Sequence, residues 1–333
     1  MKKTKYLFNP GRLSRKDNTL KFTPVDETQK PQYLPIEGIE RLFVFGSLDV
    51  NSALLNFLGR NRVGVHFFDF YQHYTGSFMP KEFLLAGKVQ VAQTQNYTRK
   101  KNRLHIAQQF IEGATWNILK NLKYYNKRGK SLETQIQKIE HYRTLLHSTT
   151  AINELMGLEG NCRMVYYTAF DSIIKGDFMM NGRSKQPPQN EINALISFGN
   201  MMCYTLCLDM IYHTQLNPTI SFLHSPGTRR YSLALDLAEV FKPLLVDRVI
   251  FKLLNKRQLQ ARHFHKELNR CLLNDAGKKV FIAAYEERLK ETIHHRKLDR
   301  KVSYKRLVWL ECHKLVKYIL KDTESYEPFK IWW

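Results

Sequence analysis

The spacing of hydrophobic positions along this chain changes period near residue 85. Before that point the apolar residues fall in short aromatic or β-branched runs: Tyr6-Leu7-Phe8, Thr19-Leu20-Lys21-Phe22, Arg41-Leu42-Phe43-Val44-Phe45 and Val63-Gly64-Val65-His66-Phe67-Phe68. Turn residues bound them (Asn9-Pro10-Gly11, Lys16-Asp17-Asn18, Gly46-Ser47, Asp69), which is the pattern of strands. Between the last two runs, residues 52–59 are apolar at helical spacing and end on glycine, which predicts one short helix. Behind residue 85 the period lengthens to three and four. Leu104, Ala107, Phe110, Ile111, Ala114, Ile118, Leu119 and Leu122 mark a helix over 101–126, and the pattern repeats over 132–146, 152–174, 191–216 and 231–241. Residues 176–189, with Pro187-Pro188, and 221–230, with Pro226-Gly227, read as loops. Pro243 marks a break or kink, and two long helical stretches follow, over roughly 244–294 and 303–321. The fold class is therefore α+β. A small, β-sandwich-like N-terminal sheet domain over 1–85 is followed by a larger all-α domain over 86–333.

Charge narrows the partner. Lys and Arg total 52 against 30 Asp and Glu in 333 residues, a formal charge of +22. A globular chain this basic points to a polyanion, nucleic acid or an anionic membrane. No apolar run approaches the roughly 20 residues of a membrane helix, and no apolar signal region follows Met1-Lys2-Lys3-Thr4-Lys5. A soluble cytoplasmic protein with no membrane partner is expected, with nucleic acid as the leading ligand. The five cysteines are scattered and odd in number, so no disulfide framework is indicated, and Cys203 and Cys207 read as buried small hydrophobes. The cations cluster. Arg99, Lys100, Lys101 and Arg103 open one helix, and Lys120, Lys123, Lys127, Arg128 and Lys130 close it beside Tyr124 and Tyr125. Arg229 and Arg230 follow in a loop, and Arg296, Lys297, Arg300 and Lys301 lie in a run with His294, His295 and Tyr304 interleaved. Any one cluster could be a solvated helix face; several together favour binding of a phosphate backbone.

Few acids of the helical part lie in apolar settings. Glu159 sits among Met156, Leu158, Val165 and Tyr166, where a carboxylate is costly to desolvate unless it is paired or bound to a metal. Taken alone, an ion pair with Arg163, four residues on, is the simpler reading. His224 opens the loop ending in Pro226-Gly227, and alone it reads as a hydrogen-bonded structural histidine. Asp236 and Glu239, three apart on a helix crowded by Leu233, Leu235, Leu237 and Phe241, would repel unless a cation relieves them. One Glu, one His and a carboxylate pair together make a mixed oxygen and nitrogen site for Mg²⁺ or Mn²⁺, suited to phosphodiester chemistry on a basic protein.

Longer strings carry a resemblance. Leu223-His224-Ser225-Pro226, the segment 232–248, Glu159-Gly160-Asn161-Cys162-Arg163 with Tyr166-Tyr167, and Gly182-Arg183 leading to Pro187-Pro188 resemble the CRISPR-associated spacer-integration endonuclease, the universal adaptation protein of CRISPR systems. Segment 190–200, the opening 6–20 (similar to the family's β-hairpin) and Tyr326-Glu327-Pro328-Phe329-Lys330 fit in the same order, so the match spans nearly the whole chain. The N-terminus leans toward the type I-B branch. The resemblance implies a dimerising N-terminal β-domain and a helical catalytic domain with one metal site. Its ligands fall on Glu159, His224 and Glu239, with Asp236 as a supporting or alternate ligand and catalytic acid. Arg163, Arg183 and Asn193 match positions close to that site. Cys162 and Lys242 depart from the commoner residues of the family, neither being expected to touch the ligands. The implied activity is insertion of short double-stranded DNA fragments into the CRISPR repeat by 3′-hydroxyl transesterification, with endonuclease cleavage as the same chemistry with water. Two homodimers bridged by a small ferredoxin-like CRISPR protein are implied as the assembly. A silent nucleic-acid-binding scaffold and a metal-dependent RNase are the competing functions.

Overall fold

The computed structural model describes residues 2–69, 71–80, 86–176, 178–227 and 231–332. The chain divides into two compact units, residues 1–83 and 84–333. In the first unit the elements are β1 (Lys3–Leu7), β2 (Gly11–Lys16), β3 (Thr19–Pro24), β4 (Gln32–Pro35), β5 (Ile39–Val44), β6 (Leu48–Asp49), α1 (Ser52–Arg60), β7 (Gly64–Phe68) and β8 (Tyr74–Phe78). They form two four-stranded sheets, ordered β1-β5-β7-β8 and β4-β3-β2-β6. β1, β5 and β7 run parallel, and β8 returns antiparallel. Leu7, Leu42, Val44 and Val65 from the first sheet and Leu13, Leu20 and Phe22 from the second share one core with Leu54 and Leu58 of α1. That helix starts where the Asn51 side chain accepts from the Leu54 N–H at 2.9 Å. The first hairpin of this unit joins β2 to β3 and turns at Asp17, whose φ is 54°; the first strand run pairs instead with β5, far along the sequence.

The second unit contains α2 (Gly87–Thr98), α3 (Lys100–Asn126), α4 (Glu133–Leu145), α5 (Ile152–Thr168), α6 (Phe170–Ile173), α7 (Glu191–Tyr212), α8 (Ser232–Lys242), α9 (Arg248–Asn255), β9 (Phe264–Glu267), β10 (Arg270–Leu273), α10 (Asp275–Lys290), β11 (Thr292–His295), β12 (Arg300–Ser303) and α11 (Tyr304–Ile319). Two antiparallel hairpins, β9–β10 and β11–β12, interrupt what helical periodicity read as continuous stretches. α8 packs against both α3 and α7 and is the most enclosed helix for its length. α7 combines length with high mean hydropathy although polar residues interrupt its apolar run. By length and composition it could cross a membrane, but 78% of its most apolar window is buried inside the unit, as in a core helix. All five cysteines are free and buried.

Pro243 ends α8 as expected and opens a wide π turn over Pro243–Asp247 before α9. Proline has no N–H to donate to the Glu239 carbonyl one turn back. The loosened backbone is tied down from α3: Asn121 Nδ2 donates to the Pro243 carbonyl at 2.7 Å, and Asn117 Nδ2 donates to Val240 O at 2.9 Å. π turns of this kind recur at functional sites, and this one directly follows Glu239.

Candidate active site

Three segments bring the chemistry together: α5, α8 and the loop leading to α8. The loop is shaped by Asp236. This carboxylate is fully buried, and its Oδ2 accepts from the backbone N–H groups of Phe222 (2.7 Å) and Leu223 (3.0 Å). Its Oδ1 accepts from the His224 N–H at 2.9 Å and lies 2.8 Å from His224 Nδ1. A carboxylate can only accept here, so Nδ1 carries a proton, and in the neutral imidazole Nε2 keeps its lone pair. Ser232 Oγ donates to Thr219 O at 3.0 Å, and Arg103 Nε donates to Phe222 O at 2.9 Å, fixing the same loop from α8 and α3.

Glu159 and Glu239 face one another across α5 and α8, with Arg163 between them. Arg163 Nη2 donates to Glu239 Oε2 at 2.6 Å and its Nε to Glu159 Oε1 at 3.3 Å. Lys242 Nζ donates to Glu239 Oε1 at 2.5 Å. Lys242 therefore does touch the site, contrary to expectation, because an i, i+3 step on α8 places its ammonium beside the carboxylate. The two acids differ sharply. Burial opposes ionisation of Glu239, but Lys242 and Arg163 hold its pKa well below the usual carboxylate range. Burial and the neighbouring Glu239 charge raise that of Glu159, with Arg163 only partly compensating. Arg163 and Lys242 are themselves held protonated by Glu239. Asp247, at the end of the π turn, is pushed up to about 6 by burial. Burial, with the Glu159 charge behind it, pushes the Cys162 thiol up to about 12, so it is no thiolate near neutrality.

Asn193 is fully buried and folds the loop before α7: its Nδ2 donates to Gly182 O at 2.9 Å, and its Oδ1 accepts from Arg183 Nη1 at 3.0 Å. Arg183 also donates to Ser197 Oγ at 3.0 Å. Arg183 faces Tyr167 and Asp247, and Asn193 holds it there from the loop. The basic residues sort by their contacts. Arg99, Lys100, Lys101, Lys127, Arg128, Arg296, Arg300 and Lys301 are exposed, whereas Arg103 is spent on the Phe222 carbonyl. Lys123 pairs with Glu140 (2.5 Å), Lys297 with Glu327 (2.7 Å), and Lys120 lies over the Trp116 ring. Arg229 and Arg230 lie outside the described residues. Among the described residues no three His, Cys, Asp or Glu side chains close on one point as a formed metal site, because the Glu239 oxygens are taken by Arg163 and Lys242.

Asp247 and Tyr166 are site neighbours to which sequence reasoning gave no role, although both lie within strings that carry the resemblance.

Residues 5–287 match the family model described as CRISPR associated protein Cas1. The CRISPR-associated endonuclease Cas1 of Fusobacterium nucleatum subsp. nucleatum is 44% identical over 333 residues, covering 100% of this chain and 98% of the relative. A Cas1 protein from Thermotoga maritima has the same fold, with a TM-score of 0.87, 36% identity, and coverage of 98% of this chain and 99% of that one. A casposase bound to its integration product shares the fold alone, at a TM-score of 0.84 and 20% identity over 98% of this chain and 93% of that one. With a loop histidine held by a buried aspartate beside two facing glutamates, and with full-length likeness to named endonucleases, this chain belongs to the Cas1 family, the endonucleases and integrases of CRISPR adaptation.

Proposed function

We propose that the chain joins short double-stranded DNA fragments to a CRISPR repeat by metal-dependent transesterification, with Glu159, His224 and Glu239 as the ligands of a divalent cation, Mg²⁺ or Mn²⁺. The observation that carries this is the Asp236–His224 contact, which turns Nε2 free of that carboxylate beside two glutamates, of which Glu159 has its pKa raised by burial first and by the Glu239 charge second. Two hard oxygen donors and one imidazole are the donor chemistry such an ion takes. A bound divalent cation supplies Lewis-acid polarisation of the scissile phosphoryl group.

The chain's own residues do the rest. Asp236 positions His224 and locks its tautomer. Arg163 and Lys242 offset the charge of Glu239 and stand beside the place where a phosphoryl oxygen gains charge. In the joining step the fragment's 3′-oxygen bonds to phosphorus at the repeat boundary, and the repeat strand's own 3′-oxygen leaves. One phosphodiester replaces another, so no nucleotide cofactor is consumed. Water in place of the 3′-hydroxyl gives cleavage. The exposed cations Arg99, Lys100, Lys101, Lys127, Arg128, Arg296, Arg300 and Lys301 hold the duplexes by their backbones. Residues 1–85 serve dimerisation, and a small ferredoxin-like CRISPR protein bridges two dimers.

The test is strand transfer. Labelled duplex with free 3′-hydroxyl ends is mixed with a repeat-bearing plasmid, Mn²⁺ and protein, with and without the small partner. Joined product that disappears with His224→Ala, with Glu239→Ala and with 3′-blocked fragments supports the reading. Tight DNA binding without joining under every metal and partner condition overturns it.

A further inference from the structure

A second feature of the helical unit shares no lining residue with the carboxylate cluster. A cavity of about 710 Å³ opens between the end of α3, the segment after α6, α9 and the end of α10. That is the size of pocket that takes a nucleotide-scale ligand. Seven cationic side chains and a single carboxylate line it. Arg128, Lys130, Lys175, Arg248, Lys252 and Lys256 come from three separate segments, so their convergence is made by the fold and not by a charge run.

The acids nearby do not cancel this charge. Glu291 pairs with Arg288 and Glu287 pairs with Lys252 at 2.6 Å, both acids being exposed. Among the described residues Arg128, Lys130, Lys175 and Lys256 have no acidic partner. Arg288 is almost enclosed, and its Nη2 is buried without a hydrogen-bond partner. Such an atom normally finds one in a folded protein. The aromatic wall is rigid. The Arg128 and Arg248 guanidinium groups lie 4.3 and 4.6 Å from the Tyr124 ring centre. Tyr124 packs edge-on against Tyr125 (5.1 Å), and Tyr125 against Phe251 (5.3 Å). Stacking holds a guanidinium by its face and leaves its N–H edge for an anion, the arrangement that suits bidentate phosphate recognition.

We propose that this cavity is a receptor for a 5′-phosphorylated nucleotide, its phosphates taken by the cations and its base set against the Tyr124–Tyr125 wall. Two sources share that chemistry: a free nucleoside triphosphate and the 5′-phosphorylated end of a DNA strand. A duplex backbone running over the surface would not need a concave site closed by aromatic rings.

Calorimetric titration with dATP, and anisotropy of a short labelled single strand carrying either a 5′-phosphate or a 5′-hydroxyl, test it. Wild type is expected to bind dATP with an affinity that falls as salt rises. The exposed double reversal Lys175→Glu, Lys256→Glu should weaken it by about tenfold or more, with its thermal melt unchanged, while His224→Ala should bind as wild type does. Preference for the 5′-phosphorylated strand, lost on competition with dATP, assigns the source to a strand end; dATP binding with no such preference assigns it to a free nucleotide. Equal dATP affinity in the double reversal and wild type, or no dATP binding by wild type, overturns the proposal.

Discussion

Asp236 meets four donors with two oxygens, and none of its lone pairs remains for a metal in this arrangement. In the proposed site its part is to position His224 and not to serve as a ligand. Asp236→Ala would strip buried N–H groups of their acceptor and should lower stability by about 3 kcal/mol. Asp236→Asn keeps the shape but cannot enforce the Nδ1–H tautomer, and strand transfer should fall about 10- to 100-fold with little loss of fold. Initial rates beside thermal melts separate the two, and wild-type joining by the asparagine variant would contradict the positioning role. Asp247 makes a prediction of opposite kind. Burial raises its folded pKa to about 6 from the 3.8 of an ordinary aspartate, so between those values the native state holds a proton that the unfolded chain has lost. Stability from this group is full below about pH 4, declines as pH rises through 6, and stays low above it. Asp247→Asn should therefore melt higher than wild type at pH 8, by on the order of 3 kcal/mol, with the gap closing toward pH 4. A gap that widens on acidification would refute the assignment. The site was partly legible at this scale. Arg163 four residues after Glu159 and Lys242 three after Glu239 can be read from spacing, but the link from Arg163 to Glu239 spans 76 residues and exists only once α5 and α8 pack.

The helix that carries Asp236 and Glu239 depends on a close approach behind it. Gly199 on α7 lies against Val246 of the π turn and against Phe281 of α10; a Cβ there would come within 2.9 Å of the Phe281 ring and still nearer Val246. Gly199→Ala should cost about 1–3 kcal/mol through overpacking. Because Val246 follows Glu239 by two helical turns, joining should fall more than the loss of folded protein explains. Urea melts and rates at a temperature where both proteins stay folded measure each part, and an unchanged melt would show that the turn has room to shift. Sequence periodicity found the long helices because α3 and α7 bury most of one side or more, and it found β1, β3, β5 and β7 through their aromatic and branched residues. It missed β2, whose outward positions are Arg12, Arg15 and Lys16, and β4, which is mostly exposed. α2 was equally silent: only Val89 and Gln93 are buried, and the helix is held by the Gln93 amide donating to Asn217 O (3.0 Å) and Ile220 O (2.7 Å). Those partners lie more than a hundred residues away, beyond the reach of any local pattern.

Across the whole molecule the charge of +22 is distributed unevenly between cations that solvent can reach and cations already engaged. Arg300 and Lys301 stand exposed on β12, whereas Lys297 is paired with Glu327. Reversing Arg300 and Lys301 to Glu should weaken duplex binding and reduce the slope of log affinity against log salt by roughly one for each phosphate no longer neutralised. Lys297→Ala should do less, and equal effects would mean that the ion pair opens on DNA. Residues 326–332 pack behind α8. Phe329 stacks on Phe241 of α8 with ring centres 5.7 Å apart, and the Ile331 N–H donates to Asn117 Oδ1 at 2.9 Å. Asn117 in turn donates to Val240 O and to Phe329 O, so one buried amide ties the C-terminal strap, α3 and the end of α8 together. Trp116 Nε1 donates to Ile331 O at 2.8 Å, and Tyr326 donates to the fully buried Glu311 at 2.6 Å. The segment lies beyond the part that the family model covers, yet it packs directly behind the helix that bears Asp236 and Glu239. Removing residues 326–333 exposes the Phe241 face and strips Asn117 of its Phe329 and Ile331 partners and Glu311 of the Tyr326 hydroxyl, while Asn117 keeps Val240 O and Glu311 keeps Lys314; the loss is at least about 3 kcal/mol from apolar burial alone. Amide exchange of α3 and α8 should accelerate while the sheets of the first unit keep their protection, and strand transfer should fall with the α8 amides. If the truncated chain exchanges α8 no faster than the full chain, the strap is not what holds this helix in place. The hold would then come from Asn121 at the Pro243 carbonyl and from the Asp236 loop.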